Sequence, residues 1–171
     1  MTIKKLMYLT SIVTVVSMLT LFSFFFLTTS NSEKNVKELV DNKIKTLNLL
    51  EEMKADIMQM TASIRNVIIN PKDEKSKKNY HEYYQKFIKA NEESQSLSTG
   101  EKREELKKAL SLCHTLFSKM REIQEVAEQG KKDEAIQKSH QLTQTYRNLR
   151  DGIILKLVDK EKSEISALKQ N

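Results

Sequence analysis

The amino-acid sequence predicts an all-α protein, in which an N-terminal transmembrane helix is followed by an up-down-up-down antiparallel four-helix bundle. Three observations predict this fold class. The chain opens with a long apolar stretch, it has only 3 Gly and 1 Pro among 171 residues, and its apolar residues recur at helical spacing. The predicted parts are a short N-terminus at 1–5, a membrane anchor at 6–28 and the bundle at 29–171.

The apolar stretch covers residues 6–27 and contains no charged residue. As a helix it would extend roughly 33 Å, which matches a hydrocarbon core of about 30 Å. A cleavable signal peptide is the alternative, but its apolar region normally runs about 7 to 15 residues, so a retained anchor is favoured. Lys4 and Lys5 precede the stretch and predict a cytoplasmic N-terminus, with the bundle on the other side of the membrane.

Turn-forming residues predict the boundaries of four helices. Asn70 and Pro71 supply a cap and a Pro suited to the first helical position. The run from Ser98 to Glu101 resembles a capping box, and Gly130 suits the left-handed residue that closes a helix. Gly152 is not treated as a boundary. The predicted helices cover about residues 33–69, 73–97, 100–129 and 132–170.

Apolar residues at steps of three and four predict the face that each helix buries. In the first helix this seam is Leu50, Met53, Ile57, Met60, Ile64 and Val67. In the third it is Leu106, Leu110, Cys113, Phe117, Met120, Ile123 and Ala127. The seams of the second and fourth helices are Tyr80, Tyr84, Phe87 and Ile88, and Leu142, Tyr146, Leu149 and Ile153.

The first helix carries a second stripe, roughly 150° around the helix from its seam. Two largely apolar faces predict two neighbours: the bundle core and the same helix of a second subunit. Small residues on a solvent-exposed face are the alternative. The predicted dimer face is Ala55, Met58, Ala62 and Ile69, with Arg65 in the same stripe.

Charge and motifs argue against several function classes. Basic residues number 29 and acidic residues 23, without a basic stripe interleaved with aromatic residues, so nucleic-acid binding is not expected. No phosphate loop, nucleophile elbow or zinc-protease motif occurs, and acidic pairs such as Glu51-Glu52 fit exposed helix faces, which predicts a non-enzyme without catalytic residues or cofactor. His81 and His140 lie off the helix seams, and Cys113 fits a buried position, so no metal site is expected.

Two segments carry a resemblance to a known family. One is Met60-Thr61-Ala62-Ser63-Ile64-Arg65-Asn66 before a Pro turn, and the other is Gly130-Lys131-Lys132-Asp133-Glu134-Ala135 before the last long helix. With the Lys-flanked anchor, this layout resembles the four-helix-bundle sensor domain of methyl-accepting chemotaxis proteins. The resemblance implies a homodimeric extracytoplasmic sensor, anchored in the bacterial inner membrane, for a small organic acid, an amino acid or a binding protein. The second span and HAMP linker that the family has are not part of this sequence.

The resemblance also implies candidate binding residues. Arginines on the dimer-facing helix of such receptors grip ligand carboxylates, which suggests Arg65 with Asn66 beside it. Tyr146, Arg147 and Arg150 form a second polar and aromatic cluster on the last helix. Counting along the helices puts Arg147 about ten residues deeper than Arg65, so we do not expect the two to share a small ligand. The alternatives are a surface ion pair for Arg65, a membrane-anchored adaptor without a ligand, or the sensor of a histidine kinase or cyclic-nucleotide enzyme.

Overall fold

The computed structural model describes the backbone of residues 3–168 and the side chains of residues 17–25 and 36–168. All secondary structure in this part of the chain is helical, which confirms the all-α prediction. The elements are α1 (Ile3–Ile69), α2 (Glu74–Ser96), α3 (Gly100–Glu128), α4 (Lys132–Arg147), a π-helical turn (Asn148–Ile154) and α5 (Leu155–Leu168).

The chain divides into two compact units, Met1–Asp41 and Asn42–Asn171. In the first unit the side chains of residues 17–25 and 36–41 are described, and all of them except Val40 are exposed. No described helix combines the length and the apolar character that crossing a membrane requires. This finding contradicts the predicted single-pass inner-membrane localisation, since a span needs about 20 apolar residues. The other side chains of the predicted anchor lie outside the described residues.

The helix boundaries follow the turn-forming residues, although two predicted caps are not the ones used. The cap of α2 is Asp73 rather than Asn70, because its carboxylate accepts hydrogen bonds from the Ser76 backbone N–H (3.0 Å) and hydroxyl (2.7 Å). Thr99 precedes α3 without a side-chain cap hydrogen bond, so the predicted capping box does not form. Gly100 (φ +56°) and Gly130 (φ +78°) adopt the left-handed conformation that favours glycine.

The core of the second unit lies along the predicted seam of α1. All six seam residues of α1 are at most 1% exposed, from Leu50 to Val67. On α3 the seam is partly different, because Leu110 and Phe117 are only half-buried while Ala109 and Leu116 are buried. Helix α2 packs against α3, and α3 packs against both α4 and the π turn. The helices of residues 42–168 thus share one hydrophobic core.

The predicted fourth helix is interrupted by the π turn, and the spacing of buried residues explains why. Buried residues upstream include Leu142 and Leu149, and those downstream include Ile154 and Val158. A regular α-helix continued from Leu149 would turn Lys156 and Lys160 toward the core. The wider π turn inserts one residue into the helical phase, so that apolar residues remain buried on both sides.

Candidate ligand-binding cleft

Three arginines line a single cleft of about 760 Å³ between α1, α3, α4 and the π turn. We call it the arginine cleft and define it by Arg65 of α1, Tyr146 and Arg147 of α4, and Arg150 of the π turn. His140 lines the same cleft. Its apolar wall includes Met58, Ala62, Leu116, Met120 and Leu142.

Arg150 is fixed in place by its neighbours. Its Nε donates to Asp151 Oδ1 at 2.6 Å and its Nη2 to Asp151 Oδ2 at 2.9 Å. Its Nη1 donates to the Tyr146 hydroxyl, and its guanidinium carbon lies 4.6 Å from the centre of the Tyr146 ring. The hydrogen bond with Asp151 raises the pKa of Arg150, and the same bond lowers the pKa of Asp151. Arg150 is thus ionised and held in a fixed orientation, and the carboxylate of Asp151 balances its charge.

Arg65 and Arg147 differ from Arg150, because both side chains are exposed. Among the side chains that the structure describes, neither guanidinium forms an ion pair or a hydrogen bond. The charge of Arg147 contributes only a minor part of the lowered pKa of Asp151. The arginine cleft therefore presents two guanidinium groups whose donors remain available to an anion.

Arg65 and Arg147 line one cleft, although their depths counted along the helices led us to expect that they would not share a small ligand. The cleft is long: it follows α1 from Met58 to Arg65 and follows the last helix from Ser139 to Arg150. At 1.5 Å per residue these stretches measure roughly 10 Å and 16 Å. The cleft and the long arginine side chains therefore extend far enough to cover the offset between Arg65 and Arg147 along the helix axis.

The remaining predicted site residues fall in different places. Asn66 lies on the α1–α2 side, where its Nδ2 is 3.4 Å from the Ser76 Oγ, and it does not line the arginine cleft. From the sequence we placed Arg150 in one cluster with Tyr146 and Arg147, whereas we considered His140 only as a possible metal ligand. The spacing of Tyr146 and Arg150 was the available signal for Arg150, because residues four apart meet on one helix face.

The predicted dimer face is exposed along its whole length in the second unit. Ala55, Ala62 and Arg65 are exposed, and the exposed fractions of Met58 and Ile69 are 49% and 69%. Met58, Ala62 and Arg65 also line the arginine cleft. The stripe therefore forms one border of the cleft.

The histidines and the cysteine occupy separate surroundings. His81 packs edge-on against the Phe117 ring, and the Tyr84 hydroxyl lies 2.6 Å from His114 Nδ1. Cys113 is buried in the core. Within the described residues, no group of three or more His, Cys, Asp or Glu side chains is arranged to hold a metal ion.

The chain was compared with protein-family models, with curated proteins and with solved structures, and none of the three comparisons gives a match. The geometry and charge of the arginine cleft are therefore the basis on which a function is inferred.

Proposed function

We propose that residues 42–168 are the sensory domain of a chemoreceptor-type signal transducer, and that they bind a small organic acid or amino acid in the arginine cleft. The observation that carries the proposal is the pair of exposed guanidinium groups, Arg65 and Arg147, without a carboxylate partner among the described residues. A guanidinium matches the planar geometry of a carboxylate and binds it through two parallel hydrogen bonds. The domain acts by binding and not by catalysis.

The shape of the cleft supports a small anion with a carbon skeleton. Its volume of about 760 Å³ lies within the range of about 300 to 1,000 Å³ that is typical of small-molecule sites. Met58, Leu116 and Met120 supply an apolar wall for the skeleton, while Arg65 and Arg147 bind the charged groups. Arg150 contributes less charge because Asp151 already neutralises it.

The finer architecture that we propose for this domain is an up-down-up-down antiparallel four-helix bundle. Contacts between helices fall into two groups that support it. Residues near the α1–α2 turn pair with each other and with the end of α3. Residues near the start of the unit and in α5 pair with each other and with the α2–α3 turn region. The first group is Asn66–Ser76, Tyr80–Gln124 and Lys77–Glu128, and the second is Lys43–Glu164, Lys45–Glu93 and Lys160–Glu101.

An antiparallel arrangement also brings the two free arginines toward each other. Side chains on an α-helix lean toward the N-terminus of that helix. In antiparallel helices Arg65 and Arg147 therefore lean in opposite directions along the bundle axis, which reduces the offset between their guanidinium groups.

We further propose that the exposed stripe of α1 pairs with the same stripe in a second copy of the chain. Met58 and Ile69 are the large apolar residues that such pairing would cover. Sedimentation velocity of the 171-residue chain should show a dimer, and Met58→Lys should shift it toward monomer. A monomer at high concentration would contradict the dimer and would leave the ligand proposal standing.

The ligand proposal is tested by thermal shift of the 171-residue chain against a panel of organic acids and amino acids. A ligand that raises the melting temperature should lose affinity in Arg65→Ala and in Arg147→Ala, by about 10- to 100-fold for each lost charged hydrogen-bonding group. Arg103→Ala is the matched control, because Arg103 is exposed on α3 and does not line the arginine cleft. Undiminished affinity in both cleft variants would overturn the assigned site. A panel without any hit would favour an adaptor.

A further inference from the structure

A second cleft contains a buried carboxyl group that has no partner. Asp56 is on α1, its side chain is only 8% exposed, and it lines a cleft of about 560 Å³ between α1 and α2. We call this the Asp56 cleft and define it by Asp56, Glu52, Leu49, Ala90, Lys86 and Lys89. Within the described part of the chain, the Asp56 carboxyl forms no hydrogen bond and no ion pair.

The neighbouring charged groups compensate this carboxyl only in part. Glu93, at the edge of the cleft, pairs with Lys45 at 2.6 Å. The Lys86 Nζ lies 4.9 Å from the centre of the Tyr83 ring and forms no ion pair with Asp56 in the described residues. Burial raises the pKa of Asp56 to about 6, while the charge of Lys86 lowers it and that of Glu52 raises it further.

Among the described residues the Asp56 carboxyl has no hydrogen-bond donor, and it lines the cleft where a ligand could supply one. A buried carboxylate without donors is costly, and a charged partner with N–H groups removes much of that cost. Glu52, one helical turn away on α1, adds a second acceptor in the same cleft. Leu49 and Ala90 supply apolar surface next to these acceptors.

We propose that the Asp56 cleft binds the primary ammonium group of a small organic monoamine. The ammonium donates hydrogen bonds to the carboxylates of Asp56 and Glu52, and the carbon stem of the ligand packs on Leu49 and Ala90. Lys86 and Lys89 at the rim repel further positive charge, so a ligand with one ammonium group binds better than a polyamine. This site is independent of the arginine cleft.

The test uses calorimetric titration of the 171-residue chain with propylammonium chloride. Tetramethylammonium chloride is the control cation, because it carries the same charge without N–H donors. Propylammonium should bind with saturation, and Asp56→Asn, which keeps the size of the side chain, should weaken binding at least tenfold. Glu82→Gln is the matched control on α2, since Glu82 is exposed and lies outside the cleft. Equal binding of the two cations, or unchanged binding in Asp56→Asn, would overturn the proposal.

A second measurement does not depend on the folding of a variant. Carbon-detected NMR titration of the Asp56 carboxyl in the unmodified chain should show that saturating propylammonium lowers its pKa, while tetramethylammonium at equal concentration does not. The charged and titratable groups facing Asp56 are Glu52 on α1, Lys86 on α2 and Cys113 on α3. Below the pKa of Asp56 the affinity should fall about tenfold per pH unit, because only the ionised carboxylate accepts the ammonium. An unchanged pKa of Asp56 would contradict the site, and Arg65→Ala should leave all these results unchanged.

Discussion

Two regions of residues 42–168 use charged side chains in opposite ways. In the first, which we call the ionic cluster, Glu161 of α5 is completely buried and pairs with Lys43 of α1 at 3.7 Å and with Lys102 of α3. In the second, the arginine cleft, Arg65 and Arg147 are exposed and have no carboxylate partner among the described side chains. Burial forces a charge to be paired, whereas an exposed charge can remain available to a ligand.

The protonation of Lys43 illustrates how the ionic cluster compensates burial. Burial of Lys43 lowers its pKa, but the hydrogen bond to Glu164 and the charges of Glu161 and Glu164 more than offset this, so the pKa is raised. Lys43 therefore remains charged. Because the cluster joins α1, α3 and α5, we interpret it as a structural feature that fixes the relative positions of these helices.

The largest expected effect is on the ionic cluster. Glu161→Gln removes the only ion-pair partner of Lys102 among the described residues, and should lower the free energy of unfolding by about 3 to 5 kcal/mol. Urea unfolding followed by circular dichroism measures this loss. Glu104→Gln is the control, because Glu104 forms an exposed pair with Lys107, and such pairs contribute little to stability. Similar losses of unfolding free energy in Glu161→Gln and Glu104→Gln would show that burial does not determine how much a charged pair contributes to stability.

Asp56 tests the comparison from the other side, because it is buried without being paired. Its native pKa of about 6 lies above its ordinary value of 3.8, so the native state holds the proton more tightly than the unfolded chain. This contribution to stability is present below about pH 4 and is lost as the pH rises to about 6.

Asp56→Asn cannot ionise, so its stability relative to the unmodified chain should rise by about 2 to 3 kcal/mol between pH 4 and pH 7. Urea unfolding at a series of pH values measures the difference between the two chains. The difference isolates Asp56 from carboxylates with lowered pKa values, such as Glu51 and Asp151, whose contributions run the opposite way. A difference that does not change with pH would mean that Asp56 is not desolvated.

The helices of the second unit could be predicted from the sequence because their signals are local. The seam of α1 alternates steps of three and four from Leu50 to Val67, and every one of its residues is buried. Gly100 and Gly130 mark chain reversals that require positive φ. The α2 cap was misassigned because Asn70 and Asp73 are both good capping residues. The backbone path decides which of the two side chains reaches the free N–H groups of α2, and in this structure it is Asp73.

The candidate site was less predictable because it depends on the phase and depth of helices that are distant in sequence. Arg65 and Arg147 were identified individually, but counting residues along straight helices could not show that one long cleft contains both. The π turn was also missed. The sequence does contain a signal for it, since the buried positions step by five from Leu149 to Ile154, but Ile153 next to them gave an acceptable α-helical spacing.

A smaller effect is expected from changes in the π turn, which test whether the arginine cleft depends on the π-helical geometry. Deleting Gly152 should convert the turn to regular α-helix, because Leu149 and the former Ile154 would then be four residues apart. Gly152→Ala is the control: a Cβ there would meet only the Arg147 carbonyl oxygen at 3.9 Å, so the π turn is retained.

Both variants should be more stable by about 1 kcal/mol, because each removes a helical glycine. Only the deletion should weaken binding of an anion identified by thermal shift, because it replaces the wide π turn by regular α-helix and so displaces Arg150, which lines the arginine cleft. Thermal unfolding and ligand titration of both variants distinguish these effects. Equal anion affinity in the two variants would show that the π turn serves only the packing of the core.

The smallest expected effect on stability is at the arginine cleft itself. Arg65→Ala and Arg147→Ala remove exposed side chains that have no partner among the described residues, so each should change the free energy of unfolding by at most about 0.5 kcal/mol in the absence of ligand. Truncation of Arg150 should cost more, because it leaves Asp151 without its hydrogen-bonding partner and removes the contact with Tyr146. Urea unfolding of the three variants tests this order. A loss for Arg65→Ala comparable to that for Glu161→Gln would mean that Arg65 supports the fold. The division between paired structural charges and unpaired binding charges would then fail at Arg65.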